Sequence, residues 1–129
     1  MPLMKFHIYV GWPKEEITKL LDVAHEAMVR SFNVPLRDRY QILNTYSSET
    51  MIVQDTGLEI PRTDRFVLVE VVSRARTTEQ KQTFYSNLCK DLLEKCGISS
   101  TDVMISVVEN SDADWSFGHG RAQFLTNEL

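Results

Sequence analysis

The 129-residue sequence is sparing with several residue types: two cysteines, five glycines, four prolines and two tryptophans. No apolar run approaches the ~18 residues that a membrane-spanning helix needs. Positive charge is not in excess either, since the formal net charge is −4 and the isoelectric point about 5.3. Each shortage excludes something. Without a surplus of Lys and Arg, a sequence-independent grip on nucleic-acid phosphates is disfavoured, because that binding rests on neutralising many phosphates at once. The few glycines build neither a phosphate-cradling loop nor a dinucleotide fingerprint, and GxSxG and HExxH are both absent. His7, His25 and His119 have no metal-ligand spacing with one another or with cysteine, so neither a metal nor an organic cofactor is indicated. Cys89 and Cys96 fall seven residues apart in a helical stretch. Two helical turns separate them by about 10 Å, beyond the ~7 Å limit for a disulfide. They read as reduced thiols in a reducing compartment. The opening MPLMKFHIYV reads as a strand without a charged-then-apolar leader. These features lead us to expect a soluble cytoplasmic protein with no membrane and no nucleic-acid partner.

What is present is an ordinary globular balance, 43% hydrophobic and 25% charged, in a length that suits one domain spanning residues 1–129. Residues 3–10 alternate and run apolar as a strand. Ile17, Leu20, Leu21, Ala24, Ala27 and Met28 recur at helical spacing after Pro13, a suitable first helical residue, with Glu15 and Glu16 where the helix dipole favours them. Asn33 can close this helix in the left-handed conformation, and Pro35 prevents its continuation. YQILNTY (40–46) forms a second strand and MIVQ (51–54) a short extension. Strand 66–73 follows, then a capping box at Thr77-Thr78-Glu79-Gln80 and a helix with Phe84, Leu88, Leu92 and Cys96 inward. Gly97 ends that helix before a fourth strand over 102–109.

An offset of 64 residues superposes the two halves, roughly 2–65 and 66–129. Asn33 falls on Gly97, Asp38 on Asp102, Leu20 on Phe84 and strand 3–10 on 67–74. The expected fold is α/β (α+β): two β-α-β units with both helices on one face of the sheet, as right-handed crossovers require. Strand 66–72 is apolar in both phases, which suits burial on both faces. Two helices cover one face, so the other is expected to meet a second copy of the chain; a monomeric ferredoxin-like sheet with one wet face is the plainer alternative.

Several residues have the chemistry for a site. Pro2 would become a free secondary amine if Met1 were removed, able to act as base, acid or imine-forming nucleophile; a loose terminus is the ordinary alternative. Arg74 and Arg76 stand at the end of the third strand and could hold one small carboxylate between two guanidiniums, or simply be solvated. Asp38 could orient the amine or activate water, or cap a turn as Asp102 would. Asp112-Ala113-Asp114 sets carboxylates beside Trp115 and Phe117, as a site or as a surface loop. His25 reads as structural, and His119 could line a site.

Pro2, Arg74-Ala75-Arg76 and ENSDADWSFGHGRAQFL (109–125), with DRYQ (38–41), QDTGL (54–58) and CGIS (96–99), resemble the tautomerase superfamily, and within it the malonate semialdehyde decarboxylase family. The likeness covers nearly the whole chain. It implies a tautomerase-like β-α-β-β-α-β subunit in a homotrimer, with Pro2 as the catalytic amine and Arg74 and Arg76 binding a small carboxylate substrate. Asp38 would partner the amine or a water, and Trp115, Phe117, Phe124 and Leu129 would form an apolar wall. The implied reaction is malonate semialdehyde to acetaldehyde and carbon dioxide, a carbon–carbon lyase reaction without metal or organic cofactor. Relatives also hydrate unsaturated acids, dehalogenate 3-chloroacrylates or tautomerise 2-oxo acids, so a tautomerase or hydratase is the alternative activity, with Asp38 or Asp114 activating water. A non-catalytic ferredoxin-like assembly module is the alternative from another class. His119 departs from the basic residue, such as Arg, expected at that point of the pattern.

Overall fold

A computed structural model describes residues 1–129. Its elements run β1 (Leu3–Tyr9), α1 (Lys14–Phe32), β2 (Tyr40–Tyr46), β3 (Val67–Arg74), α2 (Thr78–Cys96) and β4 (Val103–Asn110). The sheet has the order β2-β1-β3-β4. β1 runs parallel to β2 and β3 parallel to β4, as β-α-β crossovers dictate, while the central pair β1 and β3 is antiparallel. The starts of β1 and β2 therefore share one end of the sheet with the finishes of β3 and β4.

Local sequence explains the helices. Thr77 Oγ1 accepts from the Gln80 backbone N–H while Gln80 Oε1 accepts from the Thr77 N–H, both at 3.0 Å. This reciprocal cap satisfies two donors that the first helical turn would otherwise leave unpaired. Asn33 (φ 53°) closes α1 and Gly97 (φ 66°) closes α2, both in the left-handed conformation. Both helices pack on one side of the sheet. Met4, Phe6 and Ile8 of β1 and Val67, Val69 and Val71 of β3 meet Leu20, Ala24, Ala27, Met28 and Phe32 of α1 and Phe84, Leu88 and Leu92 of α2. Phe32 and Phe84 touch with ring centroids 5.1 Å apart where the helices cross. His25 is structural, as its position at the edge of the stripe suggests: it is buried and its Nε2 lies 2.6 Å from the Leu36 carbonyl.

One expectation changes. Residues 51–54 are not a strand. No neighbouring strand is available to pair with them, and the 47–66 connection is held by point contacts instead. Tyr9 donates its hydroxyl to the Met51 carbonyl at 2.7 Å, Arg62 donates to the Thr101 carbonyl, and Asp102 accepts from both the backbone N–H and the hydroxyl of Thr63. As expected of two helices, the chain covers β3 on one face only: Val67, Val69 and Val71 are inside, while Leu68, Glu70 and Val72 are half-exposed. On that second face Ile42, Met104 and Val108 are exposed, and a polar group sits among them. His7 Nε2 is 2.8 Å from Glu70 Oε1, His7 Nδ1 is 2.6 Å from the Tyr46 hydroxyl, and Lys5 pairs in register with Glu70.

These contacts set two stability expectations, both read from urea unfolding. Thr77→Ala removes the reciprocal cap and costs about 1 kcal/mol. Phe84→Ala empties a fully buried ring site between the helices and costs about 3–5 kcal/mol; a loss below that of Thr77→Ala would contradict this packing.

Candidate active site

The residues singled out from the sequence gather at the sheet end where β1 and β2 begin and β3 and β4 finish. Pro2 is buried immediately before β1. A cavity of about 370 Å³ opens beside it, lined by Met1, Arg37, Asp38, Tyr40, Phe117 and Leu129 among others. An open groove of about 720 Å³ adjoins the ends of β3 and β4, lined by Arg74, Arg76, Asn110, Asp112 and Leu125 among others. A row of rings joins the two: Tyr40 stacks on Phe117 at 5.8 Å, Phe117 meets Phe124 edge-on at 5.5 Å, and the Arg74 guanidinium lies 3.8 Å over the Phe124 ring. Trp115 stacks on Phe117 at 5.5 Å and donates its indole N–H to Asn110 Oδ1 at 2.7 Å.

Both arginines are held, and neither is fully used. Arg74 donates from Nη1 to Asp112 Oδ1 at 2.9 Å, and Arg76 donates from Nε to Ser73 Oγ at 3.0 Å. Arg74 Nε and Arg76 Nη2 are buried with no hydrogen-bond partner in the chain. A buried donor left unpaired is costly, so both guanidiniums keep donor capacity that the chain itself does not satisfy. Burial lowers the Arg76 guanidinium from its ordinary range, and neighbouring Arg74 lowers it further against the opposing pull of Asp38.

Asp38 follows a turn closed by its own N–H on the Pro35 carbonyl at 3.0 Å. Its carboxylate is another matter. Asp102, its counterpart 64 residues on, spends both oxygens on Thr63, whereas Asp38 Oδ2 is buried without a partner. The two aspartates thus share a position in their units but not a role. Asp38 acts on the chain's amino terminus, where the Met1 amine is pushed from 8.0 down to about 6. Burial is the largest cause, followed by the charges of Arg76 and Arg74; Asp38 and then Asp112 pull the other way.

The structure does not bring every candidate into the site. Asp114 folds back, accepting from the Ser111 N–H at 2.7 Å and the Ser111 hydroxyl at 2.9 Å, and closes a 3-10 turn. His119 is exposed in the Gly118-His119-Gly120 turn with φ 60°, away from both cavities. His7 and His25 lie on the sheet and on α1. Three residues join the site that sequence reasoning does not single out. Tyr40 reads as a strand residue and as part of the DRYQ (38–41) motif, with no role assigned to it. Arg37 stands beside Asp38 with no pattern to mark it. Gln123 is buried in the tail, accepts from the Phe117 N–H at 2.9 Å and donates to the Gly118 carbonyl at 2.8 Å. It thereby holds the loop that carries Trp115 and Phe117; a glutamine within an aromatic, glycine-flanked tail is the available signal.

A family model described as tautomerase enzyme matches residues 38–118. The chain belongs to the tautomerase family. Relatives of this chain include the probable tautomerase YrdN of Bacillus subtilis (strain 168), 49% identical over 129 residues and covering 100% of each chain. Among solved structures it is similar to a malonate semialdehyde decarboxylase described by its decarboxylase and hydratase activities, at 50% identity, TM-score 0.97 and 98% coverage of both chains. It also resembles a symmetric trimer of fused 4-OT, at 26% identity and TM-score 0.75, covering 92% of this chain and 94% of that one. The β-α-β-β-α-β topology is common to them, as the sequence led us to expect.

The electrostatics of the amino terminus give a measurable titration in the chain that retains Met1. Its amine has a lower pKa folded (about 6) than its ordinary 8.0, so between those values the unfolded chain binds more protons. Native stability is therefore complete above pH 8 and declines as pH falls through 6; N-terminal acetylation abolishes that component of the urea midpoint. In NMR titrations Arg76→Ala moves the amine back towards 8 and Asp38→Asn lowers it further. A terminus indifferent to both would contradict this arrangement.

Proposed function

We propose that this protein is a cofactor-independent decarboxylase of a small 3-oxo acid, best matched by malonate semialdehyde, with Pro2 as the working terminus after removal of Met1. The observation that carries the reading is the unspent polarity at one end of the sheet. Asp38 lines one cavity and Arg74 and Arg76 line the other, each with a polar atom unpaired, while Pro2 is buried next to Met1, which lines the first. The 50% identity to a malonate semialdehyde decarboxylase across 98% of the chain supports the substrate.

In this reading Arg74 and Arg76 bind the substrate carboxylate and turn it so that the breaking carbon–carbon bond aligns with the aldehyde π system. The bond's electron pair passes into an enolate as carbon dioxide departs. A cationic Pro2 amine, supported by Asp38, donates a hydrogen bond to the aldehyde oxygen where that charge develops. Protonation of the enolate carbon then gives acetaldehyde. Trp115, Phe117, Phe124 and Leu129 exclude water, which favours loss of the carboxylate charge. The partial pairing of Arg74 with Asp112 tempers its hold on the ground state, which a decarboxylase must not overstabilise. The exposed apolar face of the sheet and the trimeric fused 4-OT neighbour support a homotrimer, and the elements spaced 64 residues apart support one domain built from two like units.

A second reading, a tautomerase or hydratase acting on 2-oxo or unsaturated acids, is favoured by two observations. The Bacillus subtilis relative bears the tautomerase name, and the terminal environment depresses an amine, which suits a neutral proline acting as base.

Protein confirmed by mass to begin at Pro2 is expected to release acetaldehyde from malonate semialdehyde in a coupled assay. Pro2→Ala, Arg74→Ala and Arg76→Ala should each reduce kcat/KM by about 10²-fold or more, the range for loss of a positioned acid–base group. Full activity in Pro2→Ala would sink the mechanism. Faster turnover of phenylpyruvate than of malonate semialdehyde would transfer the assignment to the tautomerase reading.

A further inference from the structure

The opposite end of the sheet carries a separate pocket. β1 leads out to Trp12, β3 is entered past Arg65, and α2 finishes at Cys96, so these residues meet at the end remote from Pro2. They enclose a cavity of about 140 Å³, lined by Trp12, Glu16, Lys19, Arg65, Lys95 and Cys96. Three cations face one carboxylate there. Arg65 is the committed one: it donates to Glu16 at 2.9 Å and to the Cys96 carbonyl at 3.1 Å, and lies 4.3 Å over the Trp12 ring. Lys95 is 4.0 Å from its nearest carboxylate, Glu26, and Lys19 makes no ion pair. The Trp12 indole Nε1 is buried with no acceptor. That these charges converge is felt at the Cys96 thiol, which burial raises while Lys19, Arg65 and Lys95 pull it down.

We propose that this pocket binds a small phosphate-type dianion, independently of the cavity beside Pro2. The lining carries two more positive than negative charges, which a dianion balances. Lys95, Lys19 and Trp12 line the pocket from α2, α1 and the β1–α1 connection. A tetrahedral oxyanion offers oxygens to cations on different sides, whereas a carboxylate offers two oxygens in one plane. The cavity is of small-anion size and leaves no room for a nucleotide. Free phosphate and the phosphoryl group of a small monoester present the same oxygens, so both belong to the class proposed.

The two tryptophans make the test direct. Their indole N–H resonances are followed in ¹H–¹⁵N spectra of the whole chain, with Trp115→Phe to assign them. Inorganic phosphate should move the Trp12 resonance saturably, and chloride at matched ionic strength should not. Combined Lys19→Ala and Lys95→Ala should weaken this response about tenfold or more while leaving the Trp115 resonance at its native position, which shows the fold intact. Arg74→Ala should leave the Trp12 response unchanged. Glycerol 3-phosphate, titrated alongside, distinguishes a monoester site from one for the free anion. A Trp12 resonance that does not move, that chloride moves equally, or that is indifferent to the two lysines would overturn the proposal.

Discussion

The antiparallel pairing of β1 with β3 is the constraint from which the rest follows. Each β-α-β unit alone sends its parallel strands the same way, so the start of one strand and the finish of its neighbour stand at opposite ends. Joining the units through oppositely directed central strands brings the beginnings of β1 and β2 against the terminations of β3 and β4. Pro2 and Asp38 come from the first unit, Arg74, Arg76 and Asp112 from the second. Residues far apart in the chain become neighbours through backbone ladders, whose hydrogen bonds fix their separation more firmly than a loop would.

The two units then diverge by satisfaction rather than by geometry. In the second unit Asp102 is saturated by Thr63 and anchors the long connection. In the first, Asp38 keeps a buried oxygen free. The arginines are treated with similar restraint. Ser73 and the carbonyl of Phe32 steady Arg76, and Asp112 with the Phe124 ring steadies Arg74, yet one buried nitrogen of each stays unpaired. Two like charges share this strand end with a single ion pair between them and Asp112, and each unpaired donor costs stability.

What the sequence makes legible follows the range of the interaction. Helix limits, the Thr77–Gln80 cap and the left-handed closures at Asn33 and Gly97 depend on residues within one turn, and they read directly. Pro2, Arg74 and Arg76 are legible as chemistry because strand ends are easily located. Asp38 cannot be told from Asp102, since the difference lies in Thr63, distant in sequence from both. Gln123 acts only after the tail has folded over itself, and Tyr40 acquires its place from Phe117, far along the chain. Residues 51–54 have strand composition but no strand to join, a fact that resides in the sheet and not in the segment. Leu68, Glu70 and Val72 show the converse: an apolar run suggests two covered faces, while one chain supplies helices for one.

That second face has a further meaning. Its apolar rim of Ile42, Met104 and Val108 would adhere to almost any greasy surface. Its middle is polar: His7 Nδ1 meets the Tyr46 hydroxyl, His7 Nε2 lies 2.8 Å from the Glu70 carboxylate, and Lys5 stands opposite Glu70 in register. A covering surface that offered only hydrocarbon would seal these groups away from water, and their desolvation would work against the attraction of the rim. Polar groups at the centre and hydrocarbon at the edges thus ask different things of whatever lies against this face.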